Sequence, residues 1–127
     1  MQYFGGKQRI AKPLSEFLNS QLTEGQIFVD LFCGSCNVVS NIRQDVKRYA
    51  NDKNKYLPVL FERLQHGMQL PTNVSQEDYY KVKGMPETCL EDIALTAFVG
   101  FGCSFSGKWW RGYARNKRGD DFCKNAY

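Results

Sequence analysis

The sequence predicts an α/β chain holding one half of a doubly wound fold, and three observations lead there. QRIAKPLSEFLNSQL (8–22) spaces Ile10, Leu14, Phe17, Leu18 and Leu22 as one face of a helix. GQIFVDLF (25–32) is a short apolar run after a turn glycine, and KRYAND (47–52) is a second short run ending on an acid. A helix followed by strand, loop, helix, strand and helix is the order in which a parallel sheet is wound.

Taken in order, the first helix contains Pro13, which suits a first turn or a late start. Residues 26–32 read as a buried strand of a parallel sheet, because the run is apolar on both faces. CNVVSNIRQ (36–44) reads as the opening of a helix. KNKYLPVLFERLQHG (53–67) is a helix closed by Gly67, with Pro58 in its first turn or kinking it. The polar stretch at 69–88 holds a short helix at 75–82, where Ser75 and Asp78 are spaced to cap its start. LEDIALTAFVGFGCSF (90–105) begins as a helix and dissolves at Gly100 and Gly102, after which the chain is basic, aromatic and irregular.

Length and composition bound the function. The 127 residues make one domain at most, with 43% hydrophobic and 24% charged residues, an ordinary globular balance. No apolar stretch approaches the ~20 residues of a membrane span. MQYFGGKQR lacks the apolar core of a signal peptide, so a cytoplasmic protein is expected. Five cysteines at 33, 36, 89, 103 and 123 are too irregular for a disulfide framework, and reduced thiols are the simpler expectation. The net charge of +4 is local: residues 101–119 carry Lys108, Arg111, Arg115, Lys117 and Arg118 without an acid, leaving the rest of the chain slightly acidic. With Trp109, Trp110 and Tyr113 interleaved, that segment suits a nucleic-acid surface, cations on phosphates and rings on bases. The same rings suit a core beside a solvated basic loop equally well.

The stretch Cys33-Gly-Ser-Cys36 admits three readings. As half a zinc site it lacks a second close pair, and His66 is the only histidine. As a redox pair it sits suitably between a strand and a predicted helix. As a ligand loop it has better neighbours. Asp30 precedes a turn of small residues at Gly34–Ser35, and Asp52 ends the next strand 22 residues after Asp30. Small residues let the backbone approach a nucleotide, and an acid about 20 residues on holds ribose hydroxyls. YFGGKQR (3–9) adds a glycine turn and the point charge of Lys7, so the expected ligand is a nucleoside bearing a carboxylate or phosphate.

In order along the chain, FGGK (4–7), FVDLFCGS (28–35) and ANDKN (50–54) resemble the N-terminal motifs of Dam-type DNA adenine-N6 methyltransferases, phage-encoded ones especially. TAFVGFGCSFSGKWWRGYARN (96–116) resembles the segment that runs into that family's DNA-recognition region. Cys36 stands where the family's FxGxG loop has its second glycine. The resemblance implies a partial Rossmann-like, S-adenosylmethionine-dependent methyltransferase fold with an incomplete sheet. It implies one truncated domain, with 1–68 binding cofactor and 69–127 beginning the DNA-recognition region. It assigns Tyr3 and Lys7 to the S-adenosylmethionine pocket, with Lys7 near the methionine carboxylate. Asp30, Phe32, Cys33, Gly34 and Ser35 become the loop beneath the cofactor, Asp52 meets the ribose, and the two thiols are incidental.

The family's catalytic tetrapeptide, Asp-Pro-Pro-Tyr or similar, is absent: the prolines are at 13, 58, 71 and 86 only. Its polar groups would accept from the target amine while its ring stacks on the flipped base. No catalytic residue is therefore assigned, and cofactor affinity is expected to be weakened or lost. The expected partners are double-stranded DNA and either a second copy or a complementing chain, because a central strand left at an edge is seldom uncovered. No membrane is expected, and the compartment is the host cytoplasm if the chain is phage-encoded. The alternative is a truncated, non-enzymatic phage protein that acts by binding a protein or DNA.

Overall fold

The computed structural model describes residues 3–115, which divide into two units: residues 5–54, and residues 3–4 with 55–115. The architecture is mixed helix and strand with one two-stranded parallel sheet.

In the first unit, helix α1 (Gln8–Gln21) starts five residues before Pro13, so the proline is neither in its first turn nor at a late start. An interior proline removes one helical N–H. Only Ala11 and Ser15 of α1 are buried, while Ile10 and Phe17 are exposed. The helix is tied down by polar contacts instead. Asn19 Nδ2 donates to the Asn41 carbonyl at 3.1 Å, and its Oδ1 accepts from Arg43 N at 3.0 Å. Arg43 Nη1 also reaches the Leu22 carbonyl at 3.1 Å.

Strand β1 (Ile27–Asp30) pairs in parallel with β2 (Lys47–Ala50), Ile27 opposite Lys47 and Asp30 opposite Ala50. Parallel pairing was expected, but burial of β1 was not borne out: Ile27, Val29 and Leu31 are 56%, 51% and 58% exposed. A two-stranded sheet covers β1 along one edge only, and these three side chains stay about half exposed. The helix expected over 36–44 is also corrected, to a single tight turn at Val39–Asn41. Cys36 lies at φ 60°, outside the helical region. Asn37, Ser40 and Asn41 form local bonds that compete with a helical ladder, Asn41 Nδ2 reaching the Asn37 carbonyl at 2.7 Å.

The second unit contains α2 (Tyr56–Gln65), α3 (Gln76–Lys83) and α4 (Leu90–Ala97). Pro58 lies in the first turn of α2, where the missing donor costs nothing, and Gly67 follows the helix at φ 85°. Ser75 Oγ accepts from Asp78 N at 3.0 Å and the Asp78 carboxylate accepts from Ser75 N at 3.3 Å, the reciprocal cap that the spacing predicts. Beyond α4 the chain does not dissolve at its glycines but widens into a π-helical turn, Phe98–Gly102, that is wholly buried. Leu60, Val74, Tyr79, Ala94, Ala97, Phe98, Val99 and Cys103 form the core, with Trp110 and Tyr113 packed against it. Cys103 is disulfide-bonded, which corrects the expectation of reduced thiols at that position; irregular spacing in sequence carries no information about proximity in space. Cys33, Cys36 and Cys89 are free thiols, and Cys123 lies outside the described residues. No helix among the described residues is long and apolar enough to cross a membrane.

Candidate functional site

The loop after β1 is built from backbone bonds to the strand beside it. Asn51 N donates to the Asp30 carbonyl at 2.8 Å and the Asn51 carbonyl accepts from Cys33 N at 2.9 Å, continuing the β1–β2 pairing past both strands. Gly34, at φ 51°, donates its N–H to Asp52 Oδ2 at 2.9 Å, while Asp52 Oδ1 accepts from Asn54 N at 2.9 Å. Asp52 thus clamps the small-residue turn. Each of its oxygens keeps acceptor capacity for a further donor. Cys36 N closes the turn onto the Cys33 carbonyl at 2.8 Å, and Ser35 Oγ accepts from Asn37 Nδ2 at 2.7 Å. From α1's start, Lys7 Nζ donates to the Phe32 carbonyl.

Seven of the expected cofactor residues therefore come together: Lys7, Asp30, Phe32, Cys33, Gly34, Ser35 and Asp52. Tyr3 falls in the other unit, where its ring meets Phe101 edge-on at 5.1 Å. Sequence reasoning missed Asn51 as the residue that bonds both arms of the loop, although it adjoins Asp52 in ANDKN.

Beside β1 runs an open groove of about 310 Å³, lined by Lys7, Leu14, Leu18, Val38 and every residue from Phe28 to Phe32. Consecutive strand residues of both parities line it, so it follows the strand's edge rather than one face. Its only charged groups are Lys7 and Asp30. Asp30 Oδ1 accepts from Phe32 N at 3.2 Å, whereas Asp30 Oδ2 is buried without a hydrogen-bond partner.

The thiols of the loop are held protonated. Burial pushes Cys33 up, with Asp52 and Asp30 adding to the rise against the lowering contact of Cys36. Burial likewise pushes Cys36 up to about 12, with Cys33 next in effect and the two acids after it. A thiol that keeps its proton is a poor nucleophile and a poor metal ligand, which weighs against the redox reading. No cluster of three or more His, Cys, Asp or Glu side chains suited to a metal occurs among the described residues.

In the basic aromatic segment Trp110 and Tyr113 pack against the core, while Trp109 stays 38% exposed. Trp109 stacks on Tyr56 and Phe101 at 4.4 and 4.5 Å, Trp110 meets Tyr79 at 4.9 Å, and Tyr113 donates its hydroxyl to the Val74 carbonyl at 2.6 Å. Arg111 and Arg115 are exposed, and Lys108 sits over the Phe4 ring at 4.2 Å. Lys117 and Arg118 lie outside the described residues.

The small-residue loop, the groove with Lys7 and Asp30, and the clamping Asp52 thus lie together at the end of a parallel strand pair. The family model of the D12 class N6 adenine-specific DNA methyltransferase matches residues 3–90, which contain that whole arrangement, and the chain belongs to this family. The match ends before the basic aromatic segment. No curated protein and no solved structure shows significant similarity to the chain.

Proposed function

We propose that this chain supplies the cofactor-binding and part of the DNA-contacting surface of an S-adenosylmethionine-dependent adenine-N6 DNA methyltransferase, on a partial Rossmann-like fold whose sheet is incomplete. The observation that carries the reading is the Asp30–Ser35 loop, held by Lys7 on one side and by Asp52 on the other. When bound, the cofactor supplies a methyl group activated by its sulfonium. Lys7 would hold the methionine carboxylate, the loop backbone would accommodate the nucleoside, and Asp52 would accept from the ribose hydroxyls. Residues 1–68 serve the cofactor and residues 69–127 begin the DNA-recognition region. Transfer requires an Asp-Pro-Pro-Tyr or similar segment, which these residues lack.

Calorimetric titration with S-adenosylmethionine tests this. Saturable binding is expected, weakened at least about tenfold by Lys7→Ala, which removes one charge-assisted contact. The same preparation, given labelled cofactor and DNA, is expected to transfer no methyl group. A second reading, a non-enzymatic protein that binds a protein or DNA partner, draws support from the exposed row Ile27, Val29, Leu31 and Phe32. Absence of saturable heat from folded protein would favour it over the first.

A further inference from the structure

We infer that the free edge of β1 is an interface at which two copies of this chain pair antiparallel about a twofold axis. The inference does not depend on the cofactor reading. β1 is paired along one edge, and no third strand joins the sheet among the described residues. The two outer edges of that sheet differ. β2 carries Lys47 and Arg48, charged side chains of the kind that keep an edge from pairing. β1 runs Ile27, Phe28 and Val29 before its first charge, and a groove lined in part by Leu14, Leu18 and Val38 follows it. Ile27, Val29 and Leu31 share one face of the sheet and are about half exposed. An apolar edge without such guards is a template for another strand.

Charge at the two ends of this edge selects a second copy as that strand. Past the C-terminal end of β1, Lys7 Nζ donates to the Phe32 carbonyl, and two of its three donors remain. Before the N-terminal end stands Glu24, exposed and without an ion pair among the described residues. A twofold axis through Phe28, perpendicular to the sheet, sets Ile27 of each copy beside Val29 of the other. These residues lie on one face, as an antiparallel ladder requires, so the apolar rows of the two copies join. The same axis brings the Glu24 end of each copy to the Lys7 end of the other, an opposite-charge contact made twice by symmetry. Parallel pairing would instead set Lys7 against Lys7 and Glu24 against Glu24.

Sedimentation equilibrium of the 127-residue chain tests this. A concentration-dependent dimer is expected, and a monomer at every concentration would overturn the inference. Val29→Lys gives β1 the kind of guard that β2 already carries, at an exposed position, and should dissociate the dimer without changing the circular dichroism. A dimer that survives this change uses another surface and would overturn the inference too. Glu24→Lys and Lys7→Glu each turn both attractions into repulsions, and each alone should weaken the dimer about tenfold or more. Mixed one to one, the two variants recover opposite charges at both ends, and the mixed dimer should regain close to the wild-type affinity. A mixture that associates no more tightly than either variant alone would rule out the antiparallel arrangement. If one variant fails to fold, the wild-type mass and the remaining variants still decide.

Discussion

Cys36 holds a backbone conformation, φ 60°, that crowds any β-carbon and favours glycine. Cys36→Gly is therefore expected to leave stability within about 1 kcal/mol, relief of strain offsetting the greater freedom of the unfolded chain. Cys36→Val, branched at the β-carbon, should cost about 1–3 kcal/mol by urea denaturation. The thiols make a second, pH-dependent statement. Folding raises Cys33 and Cys36 above the ordinary value of 9.0, so the unfolded chain gives up these protons first. Their contribution to stability is complete below pH 9 and is lost as pH rises, for Cys36 as it climbs toward about 12. Cys36→Ala should flatten this alkaline loss in urea melts at pH 7 and pH 10; an unchanged pH dependence would mean the thiol is not shielded.

Some local signals were read correctly, whereas the helix expected over 36–44, the place of Pro13 and the burial of β1 were not. The Ser75–Asp78 cap and the Pro58 first turn need only a few residues of context, and both are present. The burial of β1 was inferred from its apolar residues alone, whereas burial requires something to pack against. The widening after α4 is also tertiary. A β-carbon on Gly100 would lie 2.6 Å from Trp109 Cζ3 and 3.0 Å from Trp110 Cε2, so the two indoles close directly over the glycine backbone. Gly100→Ala is expected to cost about 1–3 kcal/mol, seen as a lower denaturation midpoint with unchanged slope, because the rings that must yield belong to a packed cluster. A neutral result would show that the indoles have room to shift.

At the scale of the whole molecule the question is how DNA would be met. Trp110 and Tyr113 pack against the core, so under the proposed function a DNA contact of this segment would rest on its exposed arginines and Trp109. Binding to a duplex should weaken steeply with salt and depend little on sequence. Replacing Arg111 or Arg115 by Ala should lower the slope of log affinity against log salt by about 1 each, measured by fluorescence anisotropy. Trp110→Ala should instead destabilise the chain. If the arginine variants keep the full slope, the exposed cations of this segment are only a solvated face.

The sequence by itself determined the family, the helix caps, the pairing of two strands in parallel and the residues of the candidate cofactor loop. These follow from residue types at short spacing, where backbone chemistry acts without help from distant parts of the chain. The order Asp30, Gly34–Ser35, Asp52 was legible in this way, and the loop clamp joins those same residues. Only the tertiary structure decided that Asp52 bonds the turn's backbone, that Asn51 bridges both arms, that Trp110 packs against the core and that Asp30 keeps one oxygen unpaired. Each of those depends on which groups meet across the fold, and a side chain's partner is a matter of distance in space, which residue type does not encode.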